Sequence, residues 1–265
     1  MSTDFNPKVA IVTGGGSGLG AAISRELAGA GSRVIVADIN LKGAEATARE
    51  LGAKAEAVQL DVSDSAQFEA LIRRVKADYG SLDLLFNGAG VSCYGEILDL
   101  TEVDWKKVLQ VNLWGTINGS LAAYRVMAEQ GSGNIINMGS LATFLFDPLF
   151  APYTTSKCGV VGFSRILACE AEPYGVSVSV ICPGNIRTPL LGQCEPSRFT
   201  PAMPAEEAAS RILKAAAKKK TLVVFPFYTR MFWWIDRLSP KLLNPFRREM
   251  LRRARQRKAS AAAGK

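Results

Sequence analysis

The sequence predicts an α/β fold: a doubly wound parallel sheet of about seven strands in one domain, followed by a C-terminal apolar and basic extension. Three observations predict it. Short apolar runs such as Val9-Ala-Ile-Val12 alternate with longer runs of helical period through residues 8–225. A glycine-rich turn, Gly14 to Gly20, joins the first apolar run to the first helical run. Polar or glycine residues recur just past the ends of the apolar runs, at Asp38, Asp61, Asn87, Ser140 and Pro183-Gly184. In a parallel sheet these positions share one edge, where open α/β sheets bind ligands.

Residues 8–13 form the first strand, and Gly14-x-x-x-Gly18-x-Gly20 leads into a helix over 21–30. Free backbone N–H groups and the helix dipole converge there, which makes an anion site. The glycines let a pyrophosphate approach the backbone. A plain tight turn is the other reading. The second strand, 32–38, ends in Asp38, eighteen residues after Gly20. A carboxylate there suits the hydroxyls of an adenosine ribose and repels a 2′-phosphate, which favours NAD over NADP. The alternative role is a cap for the helix over 41–51. The third strand, 55–61, ends in Asp61 and is followed by Val62; Ser63 or Asp64 caps a helix over 65–79.

Strand four, 82–86, runs into Asn87-Gly-Ala-Gly90. Residues 101–127 are mostly one long helix with an early break, and Asn112 sits in it among apolar neighbours. A mid-helix Asn is mildly unfavourable and reads first as a satisfied core amide. Residues 134–139 form strand five, with Ser140 just past its end. Pro152 opens a helix from about Tyr153 to Glu172, and residues 176–181 form strand six. Residues 185–191 are a loop and 193–203 are irregular. A helix starts at Pro204, and strand seven spans 221–225.

The bulk properties narrow the chemistry. With 265 residues, 48% apolar and 21% charged, the chain suits one large globular domain. It contains no histidine, which excludes Ser-His-Asp and Cys-His catalysis and every His-based metal site. Cys93, Cys158, Cys169, Cys182 and Cys194 form no Cys-x-x-Cys pair, so neither a disulfide framework nor a metal site is expected. Most read as core residues in a reducing compartment, with Cys93 and Cys194 placed to border a pocket. Met1 to Asn6 lacks the features of a signal peptide, and no apolar stretch reaches about 18 residues. The expected location is therefore cytoplasmic.

Tyr153 and Lys157 are four apart on one helix, so they share a face. An ammonium about 4 Å from a phenolate, at an effective dielectric near 20, is worth roughly 4 kcal/mol. At about 1.4 kcal/mol per unit, that brings a phenol of pKa about 10 down by about three units. Tyr153 then serves as a general base, with Ser140 as a donor to a substrate oxygen. Taken alone, Tyr-x-x-x-Lys also fits a half-buried tyrosine and a solvated lysine.

The combined motifs resemble the short-chain dehydrogenase/reductase family, a Rossmann-type fold, over about residues 5–225. They are Thr13-Gly-Gly-Gly-Ser-Gly-Leu-Gly20, Asp61-Val62, Asn87-Gly-Ala-Gly90, Asn112, Ser140, Tyr153-x-x-x-Lys157 and Pro183-Gly-Asn-Ile-Arg-Thr188. The resemblance implies a catalytic tetrad of Asn112, Ser140, Tyr153 and Lys157. It implies that Tyr153 is the acid/base, that Ser140 polarises the substrate oxygen, and that Lys157 holds the nicotinamide ribose. Asn112 is implied to anchor a water in a proton relay. The implied NAD site comprises Gly14, Ser17, Gly18, Leu19, Gly20, Asp38, Asp61, Val62, Asn87, Tyr153, Lys157, Ile186 and Thr188. Gly88 departs from the family, which usually has a second Asn there to support the central sheet. The implied reaction is hydride transfer between an alcohol or ketone and nicotinamide.

Apolar residues are expected to line the substrate pocket, among them Val91, Tyr94, Leu141, Phe144, Leu145, Phe146, Leu149, Phe150, Leu190 and Leu191. They suggest a hydrophobic alcohol or ketone such as a steroid, retinoid or long-chain lipid; packing in the core or between subunits is the alternative. The resemblance further implies a homo-oligomer, a dimer or tetramer built on the long helices. A non-catalytic dinucleotide sensor and a sugar-nucleotide epimerase or dehydratase are the competing classes. The intact Ser140, Tyr153 and Lys157 oppose the first. The glycine spacing and the lack of a long C-terminal substrate domain oppose the second.

Residues 226–265 form a separate extension after the catalytic unit of residues 1–225. The net charge of +8 is uneven: residues 230–265 carry eleven Lys or Arg against two acids, a net +9, and the rest of the chain −1. An aromatic stretch followed by a basic run, over 226–258, fits either contact with a membrane surface or a subunit arm. No nucleic-acid partner is expected, because aromatics do not interleave with the basic run and no reader fold is present.

Overall fold

The computed structural model describes residues 8–192 and 200–263. The expectations for residues 1–6, Cys194 and most of 193–203 lie outside the described residues. Seven strands form one parallel sheet in the order β3-β2-β1-β4-β5-β6-β7. They are β1 (Val9–Thr13), β2 (Arg33–Asp38), β3 (Ala55–Gln59), β4 (Leu84–Asn87), β5 (Gly133–Met138), β6 (Val176–Pro183) and β7 (Leu222–Phe225). The order reverses between β1 and β4, and their ends open the crevice in which such sheets bind ligands.

The helices follow the alternation. Those of the sheet domain are α1 (Gly18–Gly29), α2 (Leu41–Leu51), α3 (Ser65–Tyr79), α4 (Glu102–Leu109), α5 (Gly115–Gln130), α6 (Ala142–Leu145), α7 (Ala151–Ala171) and α8 (Ala205–Ala216). The period of two along β1 explains the two cores. Ala10 and Val12 face one layer with Ile23, Leu27 and Ile212, while Val9 and Ile11 face another with Phe68, Ile72 and Met127. Each of the larger side chains among them contributes about 1.5–3 kcal/mol on burial. Local signals set the helix starts. Asp64 accepts from Ala66 N and Gln67 N at 2.9 and 3.1 Å and caps α3, and Thr101 with Asp104 forms a reciprocal capping box on α4.

Two features differ from the expected elements. The break expected within 101–127 is a π-helical turn, Gln110–Trp114, and Asn112 lies in it. Beyond β7, the chain forms α9 (Phe227–Leu238), a 3-10 turn (Pro240–Leu243) and α10 (Asn244–Ala263). Phe232 and Leu243 pack with Leu141 and Leu145, and the Trp233 ring lies 6.1 Å from that of Phe144. Leu141, Phe144 and Leu145 are therefore buried in packing and do not line an open pocket, which corrects the expectation for those three. The cysteines also differ: of the four described, only Cys182 is buried, and Cys169 is exposed.

Candidate active site

The glycine turn is shaped by contact with its neighbours. Gly14 has φ of 68°, and a Cβ there would lie 2.9 Å from Ala89 N, so the turn presses against the loop after β4. A Cβ on Gly20 would strike the carbonyl oxygen of Gly14. Ser17 is the N-cap of α1, its hydroxyl makes no cap hydrogen bond, and the first turn of α1 carries no acid. The free N–H groups of that helix start therefore meet no anion from their own first turn. Gly18 and Leu19 form the first residues of α1, and Thr188 comes close enough to Gly18 that a Cβ there would lie 3.1 Å from it.

Asp38 sits at the end of β2, where its Oδ2 accepts from Gly16 N at 2.9 Å and its Oδ1 from Asn40 N at 2.9 Å. The cap of α2 is Asn40, which accepts from Gly43 N at 3.3 Å, so the alternative role for Asp38 falls away. Asp61 Oδ1 accepts from the Ser63 hydroxyl at 2.6 Å, and Asn118 Nδ2 donates to Val62 O at 3.1 Å. These bonds fix the loop of Asp61 and Val62 at the same edge. A tight backbone cradle, an uncompensated helix start and a carboxylate held at the next strand end fit a dinucleotide such as NAD.

Two expected cofactor residues present main chain only. Asn87 is buried and donates from Nδ2 to Asn137 Oδ1 at 2.8 Å and Ser120 Oγ at 3.2 Å, beneath the sheet edge. Ile186 has its side chain in the core, with its backbone bridged to Met203. Only their backbone groups can line a bound cofactor.

α7 carries Tyr153 and Lys157 on one face, as their spacing requires. Lys157 is buried and donates to Met138 O at 2.7 Å, at the end of β5 and two residues before Ser140. Its Nζ lies 5.7 Å from the centre of the Tyr153 ring. Burial pushes the Lys157 ammonium down from 10.5 to about 8. Burial also pushes the Cys182 thiol up to about 12, which keeps it neutral and unreactive. Ser140 Oγ accepts from Ala142 N at 3.1 Å, which fixes the hydroxyl at the mouth of α6.

Asn112 completes the wall. Its Oδ1 accepts from Val91 N at 2.8 Å, and its Nδ2 donates to Val91 O at 2.9 Å and Ser156 Oγ at 3.1 Å. The Thr116 hydroxyl donates to Asn112 O at 2.8 Å. A Cβ on Gly90 would lie 3.4 Å from Asn112 Oδ1 and 4.0 Å from Lys157 Nζ, so the Gly90 backbone, Asn112 and Lys157 converge. Ser156, Asn118 and Thr13 were not singled out as site residues by the sequence. Thr13 Oγ1 accepts from Gly88 N at 3.1 Å and stitches the two crevice loops together; its signals were a hydroxyl ending an apolar strand and its place at the head of the glycine motif.

Comparison with known proteins agrees with this geometry. The family model described as short chain dehydrogenase matches residues 8–198. D-threitol dehydrogenase of Mycolicibacterium smegmatis is 40% identical over 197 residues, 72% of this chain and 76% of that enzyme. The 3-oxoacyl-(acyl-carrier-protein) reductase FabG of Haemophilus influenzae is 37% identical over 183 residues, 69% of this chain and 76% of that enzyme. A short chain dehydrogenase/reductase from Burkholderia phymatum, solved in complex with NAD, superposes with a TM-score of 0.81 at 26% identity, covering 92% of this chain and 96% of its own. The chain belongs to the short-chain dehydrogenase family, oxidoreductases that act on CH–OH groups with NAD or NADP.

Proposed function

We propose that the protein interconverts a hydrophobic secondary alcohol, of steroid, retinoid or lipid-like kind, and its ketone, with NAD preferred over NADP. The observation that carries this reading is the buried Lys157 ammonium, 5.7 Å from the centre of the Tyr153 ring and bonded to Met138 O two residues before Ser140. NAD supplies the hydride acceptor in oxidation, and NADH the hydride donor in reduction. Gly14, Ser17, Gly18, Leu19 and Gly20 cradle its phosphates, Asp38 holds the adenosine ribose, and Asp61 and Val62 border the adenine. The backbones of Asn87 and Ile186 line the groove with Thr188.

In oxidation, Tyr153 takes the proton from the substrate hydroxyl while Ser140 donates a hydrogen bond to the same oxygen. Lys157 keeps a positive charge beside the phenol, which stabilises its ionised form, and orients the nicotinamide ribose. The Asn112 side-chain amide is engaged by Val91 and Ser156 and its main-chain carbonyl accepts from the Thr116 hydroxyl, so a relay water would take the second lone pair of that carbonyl. The preference for NAD is supported by Asp38 and by the two uncharged residues after it, Ile39 and Asn40. A hydrophobic substrate is supported by the exposed Leu190 and Phe146 and by the Tyr94–Phe150 ring contact at 5.2 Å. Among relatives, a 3-alpha-(or 20-beta)-hydroxysteroid dehydrogenase of Mycobacterium bovis is 36% identical over 190 residues. Members of the family are typically oligomeric, which supports assembly as a dimer or tetramer.

The test is NADH absorbance over a panel of steroid, retinoid, fatty and sugar alcohols, with NADP in parallel. Turnover is expected for an apolar alcohol with NAD. Tyr153→Phe should lower it by about 10²–10⁴-fold while NADH titration shows nearly unchanged affinity. Undiminished turnover in that variant would remove the mechanism.

A further inference from the structure

The apolar residues of α9 divide into two faces. Tyr228, Phe232 and Ile235 turn inward, onto Leu141 and Leu145. Phe227, Met231, Trp234 and Leu238, spaced by four, three and four residues, form a second stripe about a quarter-turn round the helix. That stripe is open: Phe227 is 80% exposed, Leu238 78% and Trp234 52%, and Leu242 in the following turn is 64% exposed. A contiguous stripe of this kind marks an interaction surface, whereas single exposed apolar residues do not.

Its borders identify the partner. Arg230 and Arg237, both exposed, lie seven apart on one flank of the stripe, and Lys241 and Arg248 follow in the same direction along the chain. Asp236, the one acid of α9, is turned inward, 3.2 Å from Arg247. We propose that this face of α9 docks on the surface of a membrane rich in anionic lipid. Phe227, Met231, Trp234 and Leu238 enter the boundary between headgroups and acyl chains, the indole sits at headgroup depth, and the flanking cations meet lipid phosphate. No described helix is long and apolar enough to cross the bilayer, so the helix lies in its plane. Because the inner face of α9 packs on α6, docking sets α6, which begins two residues after Ser140, beside the lipid. The proposal stands on this face alone and does not require the alcohol dehydrogenase reading.

The test is co-sedimentation of the full chain with vesicles of equal parts phosphatidylglycerol and phosphatidylcholine. The triple variant Phe227→Ser/Trp234→Ser/Leu238→Ser and the charge variant Arg230→Glu/Arg237→Glu are run alongside. Phe227, Leu238, Arg230 and Arg237 are exposed and Trp234 is half exposed beside Trp233, so circular dichroism should match the parent, with only a small fall in melting temperature for the triple variant. The parent is expected in the pellet and to be released by high salt, with each variant binding about tenfold less at equal lipid. Retention of the parent in the supernatant, or pelleting of both variants like the parent, would overturn the proposal. So would a smaller species for the triple variant on size exclusion without vesicles, since the stripe would then be a contact between copies.

Discussion

Lys157 is held under two opposed demands. The proposed chemistry needs its charge, and its burial opposes that charge. Its folded pKa of about 8 lies below the ordinary 10.5, so the unfolded chain binds this proton more tightly. The resulting penalty is fully present below pH 8 and fades as pH rises from 8 to 10.5, through which stability increases. Lys157→Met should therefore abolish turnover, with a melting temperature at pH 7 no lower than the parent's and an advantage that shrinks toward pH 10.5. Calorimetry at pH 7 and 10 checks this; marked destabilisation at pH 7 would mean that the bond to Met138 outweighs the buried charge. The pairing of Tyr153 with Lys157 was legible because four residues make one helical turn. The partners of Asn112 were not, because Val91 and Ser156 lie 21 and 44 residues away in sequence.

At the scale of elements, Gly88 shows why one residue type suits this strand end. A Cβ there would strike the Phe86 ring and lie 2.8 Å from the Thr13 carbonyl oxygen. Asn137 on β5 meanwhile joins the sheet to α7, donating to Ser164 Oγ at 2.9 Å while accepting from Asn87. Gly88→Asn, which restores the residue usual in the family, should thus destabilise by about 1–3 kcal/mol, read as a lower urea midpoint at unchanged slope. A gain in stability would show that the crevice loop has room to yield. α2 and α3 were legible to their end residues, because Asp64 and the apolar period fix where they begin and which face they bury. The π turn at Asn112 was not, since it differs from an α-helix by one step of hydrogen-bond register and leaves no mark in composition. α6 was missed because four residues are too few to display a period.

At the scale of the molecule, the alternation of strands and helices gave the sheet, but the tail read as a single apolar and basic run. Its division into an inward and an outward face depends on where α9 lands, which is tertiary information. The inward face makes the extension structural. Removing residues 227–265 should uncover Leu141 and Leu145 and lower stability by roughly 2–4 kcal/mol, with a lower melting temperature and more aggregation on heating. An unchanged melting curve would show that those leucines find other cover. α10 reaches further: Arg247 Nε donates to Leu145 O at 2.7 Å, and Arg255 pairs with Glu96 at 2.6 Å. One helix thus joins the end of α6 to Glu96 in the loop after β4, and it lies beyond the region that matches the family. Variation in such a tail is then a route by which enzymes with the same reacting groups can differ at α6 and at the loop after β4.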